Sequence, residues 1–193
     1  MGYSQYNEEE FLKFYFKDRK GLVVEIGAAD GINNSNSRML IENGWRSLLI
    51  EPNTNNYNKL VELYKGNNNV IVENIGCSNI TEEKIFYIDH NDEYQQLSTF
   101  SKEQVVKCKN MYSCEFEEKK VEVIKTSELF SKYNISKIDF LSIDTESYDE
   151  NVFSGIDFNI VDIEIICVED NIINLDGYEL IFQNIGNKFY KRK

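Results

Sequence analysis

Leu22-Val23-Val24-Glu25-Ile26-Gly27-Ala28-Ala29-Asp30-Gly31, followed a helix's length later by Leu48-Leu49-Ile50-Glu51-Pro52, decides the fold. The run Leu22 to Ile26 is β-branched and too short for a helix, which predicts a buried parallel strand. Gly27 and Gly31 then allow a tight turn whose backbone can approach a ligand closely. A second apolar strand, Trp45 to Ile50, ends at an acidic residue. Two such strands joined by a helix form the layout of a nucleotide site, so the chain is expected to be built around a cofactor.

The acidic positions decide which cofactor. A dinucleotide site needs Gly-x-Gly-x-x-Gly after its first strand, with a pyrophosphate seated on the following helix. This chain has Glu25-x-Gly27-x-x-x-Gly31, with Asp30 inside the turn. Carboxylates there repel a pyrophosphate and suit a ligand carrying a sulfonium and an amino group. Glu51, after the second strand, is placed to accept hydrogen bonds from two ribose hydroxyls. Both features point to S-adenosylmethionine. The alternative is that Glu25 and Asp30 are loop carboxylates capping the next helix.

The rest of the 193 residues fits one α/β domain. Lys and Arg number 21 against 33 Asp and Glu, a formal charge of −12. That balance disfavours nucleic acid and anionic membrane surfaces as partners. The polar, acidic start and the lack of a long apolar stretch predict no secretory signal, no membrane span and a cytoplasmic location. Cys77, Cys108, Cys114 and Cys167 form no CxxC pair and read as reduced thiols.

Spacing predicts a helix at Glu8 to Phe16, within residues 1–20, acting as a lid or packing helix. Further helices are expected from Ser35 or Ser37 to Asn43, from Thr54 to Tyr64 with Pro52 in the first turn, at Ser127 to Tyr133 and at Glu150 to Ser154. Strands are expected at Val70 to Glu73, Ile138 to Ile143 and Ile163 to Val168. Glu83 to Ile88 and Lys120 to Ile124 alternate as half-solvated strands, and the tail from Tyr178 reads as a hairpin turning at Gly186-Asn187. Residues 89–119 lack a period and are expected to be a variable loop closing over the acceptor.

In an open parallel sheet, ligands bind beyond the carboxyl ends of the strands. Those ends carry Glu25 to Gly31, Glu51, Asn74 to Ser78, Asp144 to Glu146 and Glu169 to Asn171. Asn74-Ile75-Gly76 either offers an adenine edge an amide and a close backbone, or is a plain turn. Asp144 and Glu146 are placed to hold the cofactor's amino-acid end, take a proton or bind a cation. Asp144 with Asp170 and Asn171 is a candidate magnesium cradle, and Asp170-Asn171 is otherwise a turn cap. His90, the single histidine, is a secondary candidate for general base and otherwise a bystander.

Glu25-Ile-Gly-Ala-Ala-Asp-Gly, Ser35-Asn36-Ser37, Gly44-Trp45, Leu49-Ile50-Glu51-Pro52-Asn53 and Ile138-Asp139-Phe140-Leu141-Ser142-Ile143-Asp144-Thr145-Glu146-Ser147-Tyr148-Asp149 together resemble the FkbM family of S-adenosylmethionine-dependent methyltransferases. The resemblance implies a class I (Rossmann-like) methyltransferase fold: a mostly parallel sheet, helices on both faces and a C-terminal β-hairpin. It also implies O-methylation of sugar or related small-molecule hydroxyls. Family roles would put Glu25, Gly27 and Asp30 around the methionine part, Glu51 on the ribose, and Asp144 and Glu146 at the reacting centre. Ala28, Gly31, Ser35, Pro52, Asn53, Asn74, Ile75 and Gly76 complete the expected cofactor contacts. Where the family usually has glycine after Asp-x-Glu, this chain has Ser147. A non-catalytic S-adenosylmethionine-binding scaffold or regulatory subunit is the alternative function.

Overall fold

The run Leu22–Ile26 is β1, an inner strand of a seven-stranded sheet in a computed structural model that describes residues 2–91, 94–169 and 175–193. It pairs in parallel with β2 (Arg46–Ile50) on one side and β7 (Lys137–Ile143) on the other. With β3 (Val70–Glu73), β8 (Asp162–Glu169), β9 (Tyr178–Gln183) and β10 (Asn187–Arg192), the order is β3-β2-β1-β7-β8-β10-β9. β10 lies between β8 and β9 and is antiparallel to both. A mostly parallel sheet ending in an antiparallel hairpin is the architecture the sequence predicts.

Both faces of the sheet are covered, so its inner strands bury apolar residues on both sides, Val23, Val24 and Ile26 of β1 and Phe140, Leu141 and Ile143 of β7 among them. Alternate residues serve opposite faces. Val24, Ile26, Leu48 and Ile50 pack with Leu129 and Phe130 of α5 (Thr126–Lys132) and Val152 of α6 (Asp149–Ser154). Val23 and Leu49 pack with Leu12 and Phe16 of α1 (Glu8–Phe16), Leu40 and Ile41 of α2 (Arg38–Glu42), and Leu60 of α3 (Thr54–Leu63). α1 is a packing helix: the Phe16 ring centre lies 4.7 Å from Trp45 and that of Phe11 4.7 Å from Phe182.

Three local expectations are corrected. Pro52 lies outside α3 rather than in its first turn, because Asn53 is the cap and accepts from Asn55 N. The hairpin turn stops at Gly186, since Asn187 opens β10 with its side chain buried. Residues 89–119 are not a bare loop. They hold α4 (Lys102–Tyr112), whose cap Ser101 accepts from Gln104 N, and the start of β6 (Phe116–Lys125). β6 runs between β4 (Gly76–Ser78) and β5 (Glu82–Asp89) in a separate three-stranded sheet. α4 buries only Val105 and Cys108 and leaves Val106 and Met111 exposed, so its apolar period is faint. All four cysteines are free and buried.

Candidate functional site

The turns after β1 and β7 touch. Gly27 has φ 88°, and a Cβ built on it would lie 1.7 Å from the Asp144 carbonyl oxygen, so only glycine fits. Gly27 N and Ala28 N donate to Ile50 O, and Asp144 N donates to Ile26 O, which locks three strand ends together. Two cavities open beside this contact, and Gly27, Ala29, Gln96, Asp144 and Glu146 line both. The first is a slot of about 40 Å³ with walls including Ile50, Pro52, Gly76, Phe86 and Phe100, and Glu51 on its lining. The second, of about 250 Å³, is polar and includes Glu25, Ala28, Ser35 and Glu169.

Glu51 is 5% exposed and accepts from Ala29 N at 2.8 Å and Asn53 N at 2.7 Å. Burial pushes its carboxyl up to about 7 against the pull of those two bonds. Each oxygen keeps a second acceptor site for a ligand. Glu25, also pushed up to about 7 by burial, accepts from Ser37 Oγ at 2.6 Å, Asn36 N at 3.0 Å and Ser35 Oγ at 3.3 Å. It therefore shapes the 35–37 turn while facing the larger cavity.

Other expected contacts serve the frame. Asp30 accepts from Ile32 N, Asn33 N and Asn33 Nδ2 and lines neither cavity; it braces its own turn. A Cβ on Gly31 would meet Leu60 at 2.5 Å, so this glycine lets α3 pack close. Asn74 Nδ2 donates to Glu51 O and Pro52 O, holding the turn behind the slot. Ile75 packs on the core, and Asn53 gives its amide to Gln95 Oε1 at 2.9 Å. His90 lines neither cavity; its ring is half-exposed and lies 3.0 Å from Glu117. Asp170 and Asn171 lie outside the described residues.

Asp144, Glu146 and Glu169 bring carboxylate oxygens within 4.8 Å of one another. Burial and the neighbouring Glu169 and Glu146 charges hold Asp144 well above the usual carboxylate range. Burial and Glu169 push Glu146 up to about 8. Like charges this close retain protons unless a cation joins them. Asp149, pushed up to about 7 by burial, accepts from Thr145 N and Thr145 Oγ1 and so fixes the turn.

Glu146 and Ser147 follow with φ 53° and 69°, two consecutive side-chain-bearing residues in the left-handed region. The 94–104 segment holds them there. Thr99 Oγ1 donates to Glu146 O at 2.7 Å, and Gln104 Nε2 donates to Glu146 Oε2 at 3.3 Å. Gln95, Gln96, Thr99, Gln104 and the N-terminal Gln5 were invisible to motif reading. Only the family pattern's missing glycine at 147 hinted that something must brace this turn.

Residues 25–180 match the family described as Methyltransferase FkbM domain. No curated protein matches the chain. Among solved structures, a methyltransferase FkbM from Methylobacillus flagellatus is similar with TM-score 0.47 and 13% identity, over 79% of this chain and 33% of that one. The chain thus spans about a third of that protein's length. A conserved hypothetical protein of Streptococcus pyogenes is similar with TM-score 0.51 and 8% identity, over 96% of this chain and 95% of the other, a likeness of fold.

Proposed function

The chain belongs to the FkbM methyltransferase family, and we propose that it transfers a methyl group from S-adenosylmethionine to a hydroxyl oxygen of a sugar, glycan or related small molecule. On this reading residues 1–193 form one methyltransferase domain, with residues 89–119 on the acceptor side. The observation that carries the reading is the pair of cavities meeting at Gly27 and Asp144. One has apolar walls and a buried carboxylate suited to a nucleoside, and the other is acidic and suited to an ammonium and a sulfonium.

The residues present fit the cofactor. Glu51 has acceptor capacity for ribose hydroxyls, and Gly27 leaves the backbone bare where a side chain would clash. When bound, the cofactor supplies an activated methyl group and its own leaving group. The protein's part is alignment, worth on the order of 7 to 11 kcal/mol, together with removal of the hydroxyl proton. Asp144 and Glu146 stand where the cavities meet, and a carboxyl raised toward neutrality is matched to accept that proton. Their mutual repulsion also favours a cationic ligand over an empty site.

The slot's free space of about 40 Å³ is small beside the several hundred Å³ that ligands of this size occupy. Entry therefore requires the wall carrying Gln95 and Gln96 to shift, breaking bonds such as Gln96 Nε2 to Asn33 O at 3.1 Å. Calorimetry with S-adenosylmethionine and its demethylated product S-adenosylhomocysteine, followed by a methyl-transfer assay on a hexoside panel, tests the proposal. Binding with turnover supports it. Binding without transfer to any acceptor favours the scaffold or regulatory alternative, and no binding ends both.

A further inference from the structure

Gln104 lines neither cavity, yet its side chain reaches Glu146 where the two cavities meet. The start of α4 explains why that side chain is free to do so. Ser101 caps the helix, and its hydroxyl accepts from Gln104 N at 3.2 Å. In a capping box the glutamine at this position turns back to accept from the cap residue's own N–H. Here Ser101 N donates instead to Thr99 Oγ1 at 2.9 Å, so the Gln104 amide is released. Thr99 is 1% exposed, exchanges backbone hydrogen bonds with Tyr87 of β5 and donates its hydroxyl to Glu146 O. One buried threonine thus holds the Glu146 backbone and frees Gln104 for the Glu146 side chain.

The released amide bridges two residues. Its Nε2 donates to Glu146 Oε2 and its Oε1 accepts from Ser147 Oγ, each at 3.3 Å. With Oε1 taken by the hydroxyl, the N–H end faces the carboxylate. Ser147 has φ 69°, an angle that glycine adopts freely, and the side chain carried there is the one that makes this bond. Asp144 and Glu169, whose carboxylate oxygens lie within 4.8 Å of that of Glu146, push it away by like charge, whereas Gln104 holds it.

We propose that Gln104 is a positioning residue for methyl transfer: it holds the Glu146 carboxylate where the acceptor's proton is taken, and Ser147 keeps its amide in the donating sense. In that step the hydroxyl proton passes to ionised Glu146, the oxygen's electron pair bonds the methyl carbon, and the carbon–sulfur bond breaks to leave S-adenosylhomocysteine. This rests on the methyl-transfer reading above and adds to it two residues that line neither cavity.

The test uses the full chain, saturating S-adenosylmethionine and whichever member of the hexoside panel it methylates. Gln104→Met keeps the length of the side chain and removes both polar ends. Its kcat falls about tenfold, while acceptor KM and the S-adenosylhomocysteine Kd each change by less than about threefold. Ser147→Gly alone lowers kcat about threefold, and in the Gln104→Met background it lowers kcat no further. Gln104→Glu, which keeps an acceptor for Ser147 and loses the N–H, gives the same fall in kcat and stands in if Gln104→Met does not fold. Unchanged kcat, a loss carried by KM or Kd alone, or two losses that simply multiply overturns the proposal. A wild-type chain that methylates no member of the panel removes the methyl-transfer reading itself, and the proposal with it.

Discussion

Gly27 sits so close to Asp144 that a single carbon added to residue 27 would lie 1.7 Å from the Asp144 carbonyl oxygen. This contact joins the turn after β1 to the turn after β7 and forms the floor shared by both cavities. Gly27→Ala must push the turns apart and also hold alanine at φ 88°. The expected cost is about 3 kcal/mol in chemical denaturation, with cofactor binding lost in the fraction that remains folded.

Glu51→Gln replaces an all-acceptor group with one that must point an N–H at Ala29 N or Asn53 N. One buried bond goes unmade, at a cost of about 1 to 3 kcal/mol. S-adenosylhomocysteine affinity falls about tenfold or more by calorimetry, because hydrogen bonds to a charged acceptor are the stronger kind.

Stability should depend on pH in an unusual direction. Glu25, Glu51 and Asp149 are raised to about 7 and Glu146 to about 8. A carboxyl raised by folding binds more protons folded than unfolded above its ordinary value. Its contribution is full below about pH 4 and is lost as pH rises through about 7 to 8. Glu8 and Glu9, buried but held low by their hydrogen bonds, act oppositely, losing their contribution below about pH 4.5. The ligand-free protein therefore melts highest near about pH 5 and several degrees lower at about pH 8.5. Saturating S-adenosylmethionine flattens that decline, since its positive charge takes the place of the protons; scanning calorimetry with and without it decides the point.

Ser147 holds φ 69° next to Glu146 at φ 53°. Ser147→Gly relieves one left-handed side chain and raises stability by about 1 kcal/mol in denaturant melts. It also deletes the hydroxyl that donates to Gln104 Oε1 at 3.3 Å, so the turn's tie to α4 weakens and acceptor KM changes more than cofactor Kd. A less stable variant would mean that the Gln104 tie outweighs the backbone strain.

The central strands were legible because a parallel strand covered on both faces buries apolar residues on both, as Val23, Val24 and Ile26 of β1 and Phe140, Leu141 and Ile143 of β7 do. Glu25 and Glu51 were legible because carboxylates at strand ends face a cavity by topology. Asp30 looked equivalent in sequence, yet its short side chain found nearer partners in Ile32 N and Asn33 N, the usual competition between an Asx turn and a ligand. His90 stood in the right stretch, but β5 and β6 carry it to a half-exposed position opposite Glu117. Gln5 and Gln96 could not be read, because single amides on irregular backbone carry neither period nor charge.

The co-crystal structure with S-adenosylhomocysteine tests the central claim most directly. The account predicts ligand spanning both cavities across Gly27, with ribose hydroxyls on Glu51, the sulfur facing Asp144, and Gln95 and Gln96 displaced from their present partners. Ligand bound away from Gly27, or a cleft left empty at saturating concentration, would contradict it.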